Sequence, residues 1–143
     1  MQAKDILTTK GADIVTISPE ATLSDAIGTL AARNIGAVLV LNAERDVVGI
    51  LSERDVVRVL DGAPTGYRET KVSAVMTTHV FTADLNSSID DLLDMMTEKR
   101  IRHIPIMDAG QLAGVLSIGD VVKHRIREAV GEAEALKDYI AAG

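Results

Sequence analysis

The chain has no cysteine among its 143 residues. Disulfide scaffolds, thiolate metal sites and cysteine nucleophiles are therefore excluded. Aromatic residues are only 2% of it, with no tryptophan, one phenylalanine and two tyrosines. A base-stacking nucleic-acid surface has almost nothing to be built from. A basic excess is missing too: 15 Lys and Arg stand against 21 Asp and Glu, a formal net charge of -6. Binders of nucleic acid or anionic membranes usually carry the opposite balance. No apolar run approaches the ~20 residues that span a bilayer. Met1-Gln2-Ala3-Lys4-Asp5 is polar where a secretory signal needs an apolar core. These absences predict a cytoplasmic protein with neither nucleic-acid nor membrane partners.

Catalytic signatures are missing as well. His79, His103 and His124 are scattered, with no pair at a helical metal spacing, so no metal site is expected. No Walker loop occurs, no Gly-x-Gly-x-x-Gly follows a strand, and Ser117 lacks a Gly-x-Ser-x-Gly turn. The chain is not expected to be an enzyme, and no catalytic residue is assigned.

What is present is a repeat. Hydrophobic residues are 47% of the chain, so the core must be Val, Ile, Leu, Ala and Met. Gly49-Ile50-Leu51-Ser52-Glu53-Arg54-Asp55 returns 65 residues later as Gly114-Val115-Leu116-Ser117-Ile118-Gly119-Asp120. Ile35–Val40 falls on Ile101–Ile106 at an offset of 66, as do Leu23–Leu30 on Ile89–Met96 and Ile14–Ile17 on Val80–Ala83. Lys4–Thr9 echoes Ser73–Thr78 at 69. Self-similarity at this period is the signature of one structural unit written twice.

Each unit reads strand, helix, strand, turn, strand, helix. In the first, Val15–Ile17 is extended and Ser18-Pro19-Glu20 breaks it. Ala26, Ile27, Leu30 and Ala31 recur at helical spacing and predict a helix over Leu23–Arg33. Strands Ala37–Leu41 and Val47–Leu51 flank a polar turn, Asn42–Asp46, and a helix follows from Glu53 to about Leu60. The second unit predicts strand Val80–Ala83, helix Ser88–Arg100, a hairpin over His103–Leu116 and a helix from Ile118. The expected boundaries are a first repeat at 1–62, a linker at 63–71, a second repeat at 72–128 and a helical extension at 129–143. Units this small bury little surface alone, so a single shared core is expected. In the last helix Val122, Ile126, Val130, Ala133 and Ile140 form an apolar stripe, suited either to covering the core or to a subunit contact.

The repeated heptapeptide carries the chemistry. A strand turning directly into a helix, with Ser at the N-cap and Asp at N3, leaves several backbone N–H groups for an anion or phosphate. A carboxylate there can also accept two bonds from a ribose diol. Plain capping without a ligand is the alternative.

A tandem β-α-β-β-α unit whose copies each close with Gly-apolar-apolar-Ser-x-x-Asp resembles the cystathionine β-synthase (CBS) domain. Two copies resemble the CBS pair, or Bateman module. The resemblance implies an α/β (α+β) fold of two repeats packed with pseudo-twofold symmetry. It implies two clefts for adenosine-containing ligands such as AMP, ADP, ATP, NAD(H) or S-adenosylmethionine, held as regulatory signals rather than catalytic cofactors. It also implies a homodimer forming a four-repeat disc, and a stand-alone sensor of energy or redox state acting on an unknown target protein in trans. A ligand-free interaction scaffold is the alternative.

By the family pattern, Ser117 and Asp120 contact ribose and phosphate in the second cleft, and Ser52 and Asp55 do so in the first. Ile101, Arg102, His103, Ile104 and Pro105 are expected to frame the adenine of the second cleft, and Ile35, Gly36 and Ala37 that of the first. Thr77 and Val80 are placed in the second cleft, and Ile14 in the first. Arg54 is expected to reach phosphates held by the second repeat, whereas Arg58 is expected to pair with Glu53 or Asp55. Charge at Arg102 and His103, absent from Ile35-Gly36-Ala37, predicts unequal clefts, the second taking the more phosphorylated ligand.

Overall fold

The computed structural model describes residues 1–11, 14–62 and 65–142. It is a mixed α/β structure with two three-stranded sheets and, among the described residues, six α-helices. The chain divides into two compact units, one of Ile14–Phe81 and one joining Met1–Asp13 to Thr82–Gly143. Of the expected linker, Ala63 and Pro64 lie outside the described residues, and Tyr67–Glu69 forms one turn of 3-10 helix.

In the unit of Ile14–Phe81 the order is β1 (Thr16–Ile17), α2 (Leu23–Arg33), β2 (Ala37–Leu41), β3 (Val47–Ser52), α3 (Glu53–Asp61) and α4 (Val72–Val75). β1 lies parallel to β2, and β2 antiparallel to β3. α2 starts where Thr22 accepts the Asp25 N–H at 3.1 Å while the Asp25 carboxylate accepts the Thr22 N–H at 3.2 Å. This reciprocal box satisfies two donors that a helix start otherwise leaves open. It ends at Asn34 in the left-handed region, φ 52°, as asparagine tolerates. β2 is central and its Val38, Leu39 and Val40 are all buried, as a strand covered on both faces requires.

The other unit repeats the plan with α1 (Ala3–Lys10), β4 (Ala83–Asp84), α5 (Ile89–Lys99), β5 (His103–Asp108), β6 (Gln111–Ser117) and α6 (Ile118–Ala142). Its sheet order is β4-β5-β6. The β5–β6 hairpin turns on two residues, Ala109 and Gly110, both at positive φ (49° and 83°), as tight hairpin turns demand. The Asn42–Asp46 turn is longer, and the loss there shifts the repeat offset from 66 to 65.

One expectation is corrected. The strand expected at Val80–Ala83 is instead Ala83–Asp84. Pro105 stands where Leu39 stands, and Leu39 is the partner of Thr16. Proline has no N–H for the incoming strand, so the second ladder begins one residue later. Each unit has a hydrophobic cluster of its own. Leu23, Ala26, Leu30, Val38, Val40, Leu51 and Val72 form one cluster, and Ala3, Ile6, Leu92, Ile104, Ile106, Leu116 and Val121 belong to the other. Each core is large enough because it imports a helix from elsewhere in the chain. α1, at the amino-terminal end of the chain, packs with the second sheet, and α4, which follows the linker, completes the core of the first.

The repeated glycine is the device that admits these segments. A Cβ on Gly49 would lie 2.5 Å from the Met76 sulfur and 3.0 Å from the Thr77 carbonyl oxygen. On Gly114 it would lie 2.5 Å from Leu7 Cδ2. Leu7 and Met76 are themselves equivalents, 69 residues apart. Gly28, inside α2, meets nothing within 4 Å. Gly28→Ala should therefore raise stability by ~0.5–1 kcal/mol through helix propensity, whereas Gly49→Ala should lower it by ~1–3 kcal/mol through overpacking. Urea denaturation of the two variants checks this; a neutral Gly49→Ala would mean that Met76 simply moves aside.

Candidate functional site

Both Ser-x-x-Asp turns form reciprocal boxes. Asp55 N–H donates to Ser52 Oγ at 3.3 Å and Ser52 N–H to Asp55 Oδ2 at 2.9 Å. Asp120 N–H donates to Ser117 Oγ at 3.2 Å and Ser117 N–H to Asp120 Oδ2 at 2.9 Å. The first helical N–H of each turn is also taken: Glu53 donates to Gly36 O at 2.9 Å, and Ile118 to Arg102 O at 2.8 Å. The several open donors expected at each turn are thus reduced, because the segments before β2 and β5 supply carbonyls to them. At most the N–H groups of Arg54 and Gly119 remain for an anion.

The carboxylates differ in what else they hold. Asp55 is 3% exposed. Its Oδ1 accepts Thr77 Oγ1–H at 3.1 Å and Arg58 Nη1–H at 3.2 Å, and its Oδ2 also accepts Ser52 Oγ–H at 3.1 Å. With about four acceptor positions on a carboxylate, Asp55 is filled. Among the described residues the Asp120 carboxylate accepts the Ser117 N–H at 2.9 Å and the Lys10 ammonium at 2.6 Å, both on Oδ2. No described residue donates to its Oδ1, and the side chain is 24% exposed.

Lys10 does in the second turn what Thr77 does in the first. Thr77 exchanges both backbone bonds with Ile50 at 2.9 Å, extending the edge of β3, and caps Asp55 with its hydroxyl. Val115 is the counterpart of Ile50, and its carbonyl accepts Lys10 Nζ at 2.8 Å. One flexible side chain, 35% exposed, thus replaces a segment of backbone. Lys10 escapes sequence reasoning because it lies 110 residues from Asp120. The only available signal is the echo of α1 in the segment around α4.

The family model of the CBS domain matches residues 3–62 and again 72–127. The chain belongs to the CBS-domain family. It is a CBS-pair protein of the regulatory type. It is similar to the CBS domain-containing protein YhcV of Bacillus subtilis (strain 168), 32% identical over 133 residues, 91% of this chain and 90% of that one. It is also similar to a CBS-domain-containing protein from Agrobacterium tumefaciens, whose crystal structure matches with a TM-score of 0.84 and 44% identity over 87% of this chain and 92% of that one. The CBS domain pair of protein MJ0100, solved in complex with 5-methylthioadenosine and S-adenosyl-L-methionine, shares the fold at a TM-score of 0.79. Its identity is 20%, over 90% of this chain and 98% of that one.

Within the CBS repeats, the structure groups the remaining candidates by unit. Ser52, Asp55, Gly36 and Ala37 come together at the start of α3, with Ala37 opposite Ser52 in the ladder. Thr77, placed by resemblance in the second cleft, sits on Asp55. Arg58 pairs with Asp55 as expected, while Arg54 is exposed. Ile14, Ile35 and Val80 are half-buried in the same unit. Around Ser117 and Asp120, His103 faces Ser117 in the ladder and Arg102 is exposed beside it. Ile101 is half-buried, and Ile104 and Pro105 are buried. Among the described residues no group of His, Asp or Glu converges as metal ligands, and no helix is long and apolar enough to cross a membrane.

Asp120 is pulled two ways. Burial raises its pKa, but the Lys10 hydrogen bond, the Ser117 N–H, the Lys10 charge and the Ser117 hydroxyl outweigh it and hold the carboxyl below its ordinary value. A lowered folded pKa contributes stability that is fully present above the unfolded value, about 3.9, and is lost as pH falls through the folded value. Lys10→Met should therefore destabilise the protein near neutrality by ~1 kcal/mol or less, since both groups are partly exposed. The deficit should fade on acidification to about pH 3 and below. Urea titrations at both pH values check this; an equal deficit at each would assign Lys10 a packing role only.

Proposed function

We propose that this CBS pair is a non-enzymatic regulatory module that binds an adenosine-containing ligand at the Ser117–Asp120 turn. AMP, ADP, ATP, NAD(H) and S-adenosylmethionine are the candidates. The observation that carries the reading is the Oδ1 of Asp120, to which no described residue donates, beside a displaceable ammonium. A ribose diol needs two acceptors on one carboxylate, and this turn can offer them once a single ammonium moves, whereas the Asp55 carboxylate is occupied by Thr77, Arg58 and Ser52. The adenosyl compounds bound by the MJ0100 domain pair support the ligand class.

Ligand then trades with Lys10. The diol takes the carboxylate, and the released ammonium turns to a phosphate of the ligand, so the end of α1 reports occupancy. This is a population shift, and it requires different affinities for the two arrangements. Arg102, whose carbonyl accepts the Ile118 N–H, supplies a guanidinium charge near the turn, and His103 stands opposite Ser117 in the ladder. The Ser52–Asp55 turn binds more weakly, because Asp55 must first give up Thr77 or Arg58. The module acts as a homodimer, is cytoplasmic, and passes its signal to a target protein in trans.

Thermal unfolding with AMP, ATP, NAD and S-adenosylmethionine tests the reading. A ligand at 100 times its Kd should add ~2.7 kcal/mol of stability. Asp120→Ala should abolish that gain. Asp55→Ala should lower the ligand-free stability yet keep most of the gain. No response to any of the four compounds would favour the interaction scaffold instead.

A further inference from the structure

The 25-residue helix α6 buries only Val121 and His124. Ile118, Val122, Ile126, Val130, Leu136 and Ile140 are 40, 40, 58, 51, 59 and 67% exposed. At about 100° per residue these six share one stripe with Ala129 and Ala133, on a face distinct from that of Val121 and His124. From Glu132 to Ala142 every residue is exposed. The helix thus runs ~37 Å with an apolar face that no described residue of its own unit covers, and faces of that size normally have a partner. The core-covering reading of this helix fails on the same exposures.

We propose that the stripe is a homodimer seam in which α6 of two copies pack antiparallel about a twofold axis at Ala129. The inference rests on the homodimer proposed above and names its contact. In this register Ile118 faces the partner's Ile140, and Val122 faces the partner's Leu136. Within one residue of the same register, Arg125 meets the partner's Glu132 on one edge of the stripe. Lys123 meets the partner's Glu134 on the other. The twofold axis makes each pair occur twice. A parallel pair would instead bring Arg125 near the partner's Lys123 and Glu132 near the partner's Glu134. Like charges would then flank the seam, so charge selects the antiparallel direction. Arg125 is held at its edge by Glu128 at 3.2 Å and stays half-exposed, able to reach outward.

With no native cysteine, Ala129→Cys provides a single thiol at the proposed axis. Light scattering should show a dimer, and a short thiol-to-thiol crosslinker should link most of it covalently. Lys123→Glu with Arg125→Glu, and separately Glu132→Lys with Glu134→Lys, should each weaken dimerisation at least tenfold. Mixing the two double variants should restore it, because every seam pair becomes complementary again. A monomeric wild-type protein would overturn both the seam and the homodimer. A dimer that neither crosslinks nor responds to the charge reversals would overturn the seam alone.

Discussion

A carboxylate can accept about four hydrogen bonds, and the allocation of those positions governs what each half of this protein can do. At both turns part of the carboxylate is committed to capping its own helix. The remainder is filled around Asp55 by a threonine, an arginine and the cap serine itself. Around Asp120 it is shared with a single lysine. Two copies of one motif have therefore diverged without changing either of the residues that define it. The difference lies in the segment that crosses each strand edge, which is backbone in one case and an ammonium in the other.

Much of the local architecture was legible from local rules. α2 and β2 occupy the residues that periodicity and turn chemistry indicate, Leu23–Arg33 and Ala37–Leu41. Capping at Thr22 and a left-handed stop at Asn34 act within a few residues, so a short window contains their cause. The β4 boundary was not legible in that way, because it depends on Pro105, a residue in a different strand. The candidate site was half legible. The reciprocal boxes of Ser52 with Asp55 and of Ser117 with Asp120 follow from the motif. Lys10 and the role of Thr77 do not, since both are fixed by which helix covers which sheet.

That pairing of helix and sheet also explains the motif's first letter. Glycine at 49 and 114 is needed less for its own backbone than for the side chains that lie over it, Met76 and Leu7. A methyl group at either place would meet the incoming segment before its helix could seat. The repeated chemistry of the turn and the packing of the imported helix are thus joined through two adjacent demands on one short strand.

The exchange of α1 and α4 bears on how the molecule could be cut. Severed near residues 63–71, the amino-terminal fragment would carry α1 but lack Val72, and the carboxy-terminal fragment would carry α4 but lack Ala3 and Ile6. Neither fragment would hold the full set of side chains its sheet requires, yet each would possess what the other is missing. The two pieces are therefore natural candidates for a split protein that regains its fold only on co-expression.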